Sequence, residues 1–110
     1  MSENKVKEVI KFLGRCLNKK GLRVSKIILF GSQVKGTTTK ESDVDILIIS
    51  EDFCGKDIFE SARLTKDSEI MTFKKFMMPL DIVTLTSKEF ERGTSLVVEY
   101  AKRGKVMYAA

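Results

Sequence analysis

The 110-residue chain has no histidine, a single proline and only two cysteines. Without histidine there is no imidazole zinc site, no His-based triad and no histidine general acid–base chemistry. Any catalysis must run on carboxylates, hydroxyls, lysine or a bound metal. Cys16 and Cys54 lie far apart and form no pair at ligand spacing. They read as two small buried or half-buried apolar residues rather than a disulfide or a metal site. No apolar run approaches the ~20 residues that span a bilayer, so no membrane insertion is expected. The opening Met1-Ser2-Glu3-Asn4-Lys5 has no apolar segment behind it, so no secretory leader is expected, and the protein reads as cytoplasmic. Repeats, linkers and low-complexity segments are also missing.

What is present suits one globular domain: 43% hydrophobic and 32% charged residues in a length that supports a modest core. The net charge of +5 is unevenly spread. Residues 1–40 carry ten Lys/Arg against two Glu, and residues 41–110 carry ten Lys/Arg against thirteen Asp/Glu. A basic first third fits either a polyanion such as a nucleotide or RNA, or simply a solvated helix face. No aromatics are interleaved with the lysines as a stacking platform requires, so direct nucleic-acid binding is not expected.

Hydrophobic spacing sets out the elements. Val6, Val9, Ile10, Leu13 and Leu17 recur every three or four residues and predict an amphipathic helix over 3–20, stopped by Gly21. Ser25 to Phe30 reads as a short strand. Val44 to Ile49 is the strongest strand; it is apolar on both faces, and is expected at the centre of a sheet. A helix is expected from about 55 to 68, with a partial face of Ile58, Ala62 and Thr65, and a continuation to 76. Pro79 sets a boundary before a third strand, Leu80 to Leu85. Ser87 is expected to cap a helix start, Leu96, Val97, Tyr100 and Ala101 to continue a final helix stopped by Gly104, and Val106 to Tyr108 to add an edge strand.

The stretch Ile27-Ile28-Leu29-Phe30-Gly31-Ser32 through to Asp43-Val44-Asp45 carries the chemistry. A glycine at a strand end lets backbone approach a ligand closely. If a helical turn starts at Ser32, its free N–H groups and hydroxyl form an anion site. Asp43 and Asp45 are two apart on a strand and leave the same face. Such a pair repels by on the order of 4 kcal/mol at ~4 Å and an effective dielectric near 20, unless it is exposed or shares a cation. All-oxygen ligands favour a hard cation such as Mg2+. An antiparallel connection between the first two strands puts the anion site next to the carboxylates. The long segment from Asp45 to Asp81 can hold a crossover helix, and a parallel pairing then places Asp81 beside Asp45. Three acidic side chains facing an anion site fit a metal-bound nucleoside triphosphate attacked by a hydroxyl.

Leu29-Phe30-Gly31-Ser32, ten residues, then Asp43-Val44-Asp45, resembles the signature of the DNA polymerase beta-like nucleotidyltransferase superfamily. In particular it is similar to its minimal nucleotidyltransferase domains, the MNT or MntA-type antitoxins. Leu80-Asp81-Ile82-Val83 looks like the family's third-carboxylate strand, and Glu99 to Tyr108 resembles its usual end. The resemblance implies an α/β (α+β) fold, a mixed sheet flanked by helices. It implies two Mg2+ ions and transfer of a nucleoside monophosphate from a triphosphate, ATP by the likeness to the antitoxins, to a hydroxyl. It implies that Gly31 and Ser32 hold the triphosphate, that Asp43 and Asp45 bind the metals, and that Asp81 assists one metal and the attacking hydroxyl. Many minimal members carry Gly-Ser-Arg-Ala-Arg-Gly where this chain has Gly31-Ser32-Gln33-Val34-Lys35-Gly36. Gln33 lacks charge and Lys35 is a point charge rather than a planar fork.

Three functions are compatible with these residues. By the resemblance, the first is adenylyl transfer to a protein hydroxyl, a tyrosine of a partner HEPN-domain toxin. The second is an antitoxin that neutralises such a toxin by contact alone, for which Gln33 is the motive. The third, transfer to a small molecule or RNA end, lacks a substrate-binding domain here, although a homo-oligomer would build a pocket.

Overall fold

The periodic stripe at the start of the chain forms α1 (Glu3–Lys19), and all five stripe residues from Val6 to Leu17 are buried. Gly21 ends the turn that follows with φ +90°, a conformation that costs glycine little. The computed structural model describes residues 3–30, 44–93 and 95–109. After α1 come β1 (Lys26–Phe30), β2 (Val44–Ile49), a 3-10 turn (Glu51–Phe53), α2 (Ile58–Phe76), β3 (Leu80–Leu85), α3 (Ser87–Arg92), α4 (Leu96–Lys102) and β4 (Lys105–Ala109).

The four strands make one mixed sheet in the order β3-β2-β1-β4. β1 runs antiparallel to both β2 and β4, whereas β2 and β3 are parallel. The parallel pair needs the long crossover that α2 supplies. β2 is interior, and Ile46, Leu47, Ile48 and Ile49 are at most 2% exposed. One sheet face packs Ile27, Leu29, Val44, Ile46 and Ile48 with the α1 stripe. The other packs Ile28, Phe30, Leu47 and Ile49 with Ala101 of α4. Each such fully buried side chain contributes roughly 1.5–3 kcal/mol, which is why β2 reads as a continuous apolar run.

α2 departs most from expectation. It runs to Phe76, as the expected continuation does, but it is inverted in hydropathy. Its buried face is Ser61, Thr65, Ser68 and Thr72, while Ala62 is exposed and Ile58 and Phe59 are each 75% exposed. Small hydroxyl side chains let the helix backbone lie close to its neighbours, and the two threonines satisfy themselves locally. Thr72 Oγ1 donates to the Ser68 carbonyl at 2.7 Å and Thr65 Oγ1 to the Ala62 carbonyl at 3.1 Å. The start is fixed by a capping box: the Glu60 N–H donates to Asp57 Oδ1 at 2.8 Å, and the Asp57 N–H to Glu60 Oε1 at 3.2 Å. At the other end, the Phe76 ring meets Phe12 of α1 edge-on at 5.7 Å.

Ser68 Oγ is buried with no hydrogen-bond partner among the described residues. An unmatched buried hydroxyl costs about 1–3 kcal/mol, and alanine is also the better helix former. Ser68→Ala therefore raises the urea midpoint, by about 0.5–2 kcal/mol in stability. A lower midpoint would show that the hydroxyl is satisfied.

After β3, the cap is Thr86 rather than Ser87. Its Oγ1 accepts from the Glu89 N–H at 3.2 Å, and its own N–H donates to Glu89 Oε1 at 2.9 Å. The Glu three residues on completes a box for Thr86, which shifts the start by one. α4 stops at Lys102, the Gly104 N–H donating to the Ala101 carbonyl at 3.0 Å, and Gly104 has a second role. A Cβ there would collide with the Leu29 carbonyl oxygen of β1 and sit 3.0 Å from Ile28 Cγ2. β4 forms the far edge as expected. Cys16 is buried, but Cys54 is exposed because it closes the 3-10 turn at the surface.

The chain after α1 is clamped to that turn. Arg23 donates to Asp52 from its backbone N–H and from Nη2, each at 2.8 Å. These bonds, the side-chain one first, hold the Asp52 carboxyl below its usual range. A depressed folded pKa means stability that is present above the unfolded value and lost as pH falls through the folded one. Asp52→Asn is thus expected to lower the melting temperature near neutrality, with the deficit shrinking as pH falls below about 4. A deficit that does not change with pH would remove the charge from the explanation.

Candidate functional site

The registers align the chemistry in one row. Asp45, second residue of β2, lies opposite Phe30, last residue of β1, and on its other side opposite Asp81, second residue of β3. Paired residues on adjacent strands leave the same face of a sheet, and neighbouring strands are only ~4.8 Å apart. By the same alternation, that face is the one with Leu47, Ile49 and α4. Asp45 is half-buried and Asp81 exposed. Behind Asp45 the core is tight, with Val44 and Ile46 fully buried. The acidic pair is therefore held by rigid strands rather than by loops.

Like charges placed opposite each other destabilise a sheet unless something shares them. Both side chains offer oxygen alone, the donor set of a hard divalent cation. Among the described residues no group of three acidic, Cys or His side chains forms a metal cluster, so the row supplies two carboxylates. The remaining candidates Gly31, Ser32, Gln33, Lys35 and Asp43 lie outside the described residues. Phe30 and Val44 bracket that segment, and both lie at the Asp45 end of the sheet.

One nearby acid was not anticipated. Glu69 of α2 is half-buried, and burial, followed by the charge of Asp81, pushes its carboxyl up from the usual range. Nothing in the spacing of α2 signals it, because the helix does not bury its apolar side. Asp81 and Glu69 both line a groove of about 530 Å3 that runs along β3.

A mixed sheet whose central strand and parallel neighbour each open on an aligned aspartate, with helices on both faces, defines an α/β protein built to hold acidic groups at one sheet end. The nucleotidyltransferase domain family matches residues 5–107, and the chain belongs to that family. Two relatives from Methanocaldococcus jannaschii are named as protein adenylyltransferases. MJ0604 is 44% identical over 48 residues, covering 44% of this chain and 48% of its own length. MJ1305 is 40% identical over 52 residues, covering 46% and 35%. The matched stretch thus spans about half, or less, of those relatives. Among solved structures, a toxin–antitoxin crystallised with AMP-PNP superposes with a TM-score of 0.63 at 19% identity, covering 100% of this chain and 75% of that one. A mutant form of the toxin–antitoxin MntA–HpeT gives 0.60 at 20% identity over the same shares. These likenesses establish the fold.

Proposed function

We propose that this protein is a nucleotidyltransferase antitoxin that transfers AMP from ATP to a hydroxyl, a tyrosine of a HEPN-domain toxin, in the cytoplasm. The observation that carries the reading is the register of Asp45 with Asp81 across the β2–β3 pair. Names of the relatives support adenylyl transfer, and the fold neighbours support a toxin partner. In this reading Asp43, Asp45 and Asp81 would hold two Mg2+ ions, and that pair would supply positive charge for the triphosphate and the leaving pyrophosphate. Gly31 and Ser32 cradle the phosphates, with Gln33 and Lys35 beside them. Asp81, the outermost of the row, orients the acceptor hydroxyl and takes its proton as the new O–Pα bond forms and the bond to pyrophosphate breaks. The strands contribute alignment, which is worth several kcal/mol when reacting groups are already placed. The direct experiment supplies α-labelled ATP, Mg2+ and the product of the neighbouring gene, and looks for label on that product. Labelled partner is expected; unlabelled partner that is still neutralised would overturn the transfer.

A second reading, neutralisation by contact alone, also has an observation behind it. α2 and its cap expose Phe59, Ile70, Phe73 and Met77 at 41–75%, an apolar surface of the kind that partners cover. It requires neutralisation to survive loss of both Asp45 and Asp81.

A further inference from the structure

The two edges of the sheet are treated differently. β4 is guarded: it starts with Lys105, and its register against β1 slips by a bulge between Ile27 and Ile28. Charges and bulges are how proteins keep edges from pairing. β3, Leu-Asp-Ile-Val-Thr-Leu, has no proline, no lysine and no bulge, and its register with β2 is unbroken over six residues.

The ladder shows which groups that edge offers. The Val44 N–H donates to the Pro79 carbonyl and the Ser50 N–H to the Leu85 carbonyl, both at 3.0 Å. Odd-numbered carbonyls therefore face β2, and Leu80, Ile82 and Thr84 turn their N–H and C=O outward. Among the described residues no strand pairs with them. The side chains are equally uncovered: Ile82, Val83, Thr84 and Leu85 are half-buried, whereas their partners Ile46 to Ile49 on β2 are buried.

That open edge is the floor of the 530 Å3 groove. One wall is α2, where Ser61, Ala62 and Thr65 are small enough to leave room for another backbone; the other is the start of α3. The groove's charged lining is Asp57, Glu69, Asp81 and Glu89 against Lys56, net −3 in a chain of net +5.

We propose that β3 is an acceptor-docking edge, on which an extended, cationic segment of the partner protein adds as a fifth strand. Main-chain bonds to Leu80, Ile82 and Thr84 supply the affinity, and the acidic walls select lysine or arginine. Asp81 turns its own backbone groups inward, so in an antiparallel addition it faces the incoming residue as a non-hydrogen-bonded pair. Side chains come closest in such pairs, with Cα atoms ~4.5 Å apart. The residue opposite Asp81 leaves the same face as Asp45 and Asp81, where its hydroxyl is presented for transfer. Presentation of the hydroxyl rests on the transfer reading above; addition of the strand does not.

The test uses the 15N-labelled chain and a capped, seven-residue peptide, with lysine at odd positions, tyrosine at the centre and valine between. Its twin has glutamate for lysine. The lysine peptide is expected to shift and protect the amides of Leu80, Ile82 and Thr84, to leave β4 unchanged, and to bind at least tenfold tighter than the twin. Thr84→Pro removes one outward donor from an edge position that tolerates proline, and is expected to abolish the response. Ala62→Trp, which fills the groove from α2, does the same should Thr84→Pro fail to fold. A response mapped elsewhere, equal binding of the twin, or indifference to the groove variants overturns the proposal. ATP with Mg2+, added separately, is read at the Asp45 amide. Its absence beside an intact peptide response sinks nucleotidyl transfer alone, and the converse sinks strand addition alone.

Discussion

Asp45→Asn and Asp81→Asn are each expected to lower kcat/KM for label transfer by about a hundredfold, the scale for groups that hold a metal or its ligands, if the proposed transfer is right. The substitutions keep shape and remove charge. The loss therefore appears in kcat, with ATP still bound at higher nucleotide concentration. Folding provides the control. Asp81 faces two like charges, Asp45 across the strand pair and Glu69 on α2, so Asp81→Asn is expected to be at least as stable as the parent. An inactive but unfolded variant would say nothing about chemistry, whereas an inactive and equally stable one assigns the loss to the site. Transfer at parental rate in either variant would remove the row from catalysis and favour neutralisation by contact.

Gly104→Ala is expected to destabilise the fold by about 3 kcal/mol, as overpacking does when backbone has to give way. The melting temperature falls by roughly 10–20 °C. The atom in the way is the carbonyl oxygen of Leu29, held in the sheet from both sides, so neither partner can swing aside. Gly21→Ala is the matched comparison. Its φ of +90° strains any side chain, but nothing lies within 4 Å of the added carbon. It costs only the left-handed penalty of about 1–2 kcal/mol. Thermal melts of the two variants separate collision from strain; equal losses would mean that β4 yields easily and that its pairing with β1 is loose.

The parts of the structure that could be read from the sequence are those where burial and hydropathy agree. Val44 to Ile49 announces a central strand because both its faces are covered, and its bounds match those observed, as do those of Leu80 to Leu85. The meeting of Asp45 with Asp81 is legible because the segment between them is long enough for the crossover that parallel strands require, and each aspartate lies near the start of its strand. The extent of α2 is legible, but its buried face is not, for a physical reason. Close packing of a helix is a matter of size as much as polarity, and Ser61, Ser68 and Thr72 look like surface residues to any hydropathy pattern. With its inward side mistaken, neither Glu69 nor the groove beside β3 could be placed. Ser87 looked like a cap because serine caps helices, but Thr86 has the Glu three residues later that closes the box. Cys54 looked buried because free cysteines usually are, yet it belongs to a tight surface turn.

The parallel pairing of β2 with β3 has a consequence in time. β1 and β2 are near neighbours along the polypeptide, while Asp45 and Asp81 are joined only across the whole of α2. Closing that distant pair carries the larger entropic toll and comes late. On the ribosome, a nascent chain that has emerged only as far as Met78 already carries the central strand but not the acid that answers it. The row thus reports that the crossover has been made: no chain that stops short of β3 can assemble it.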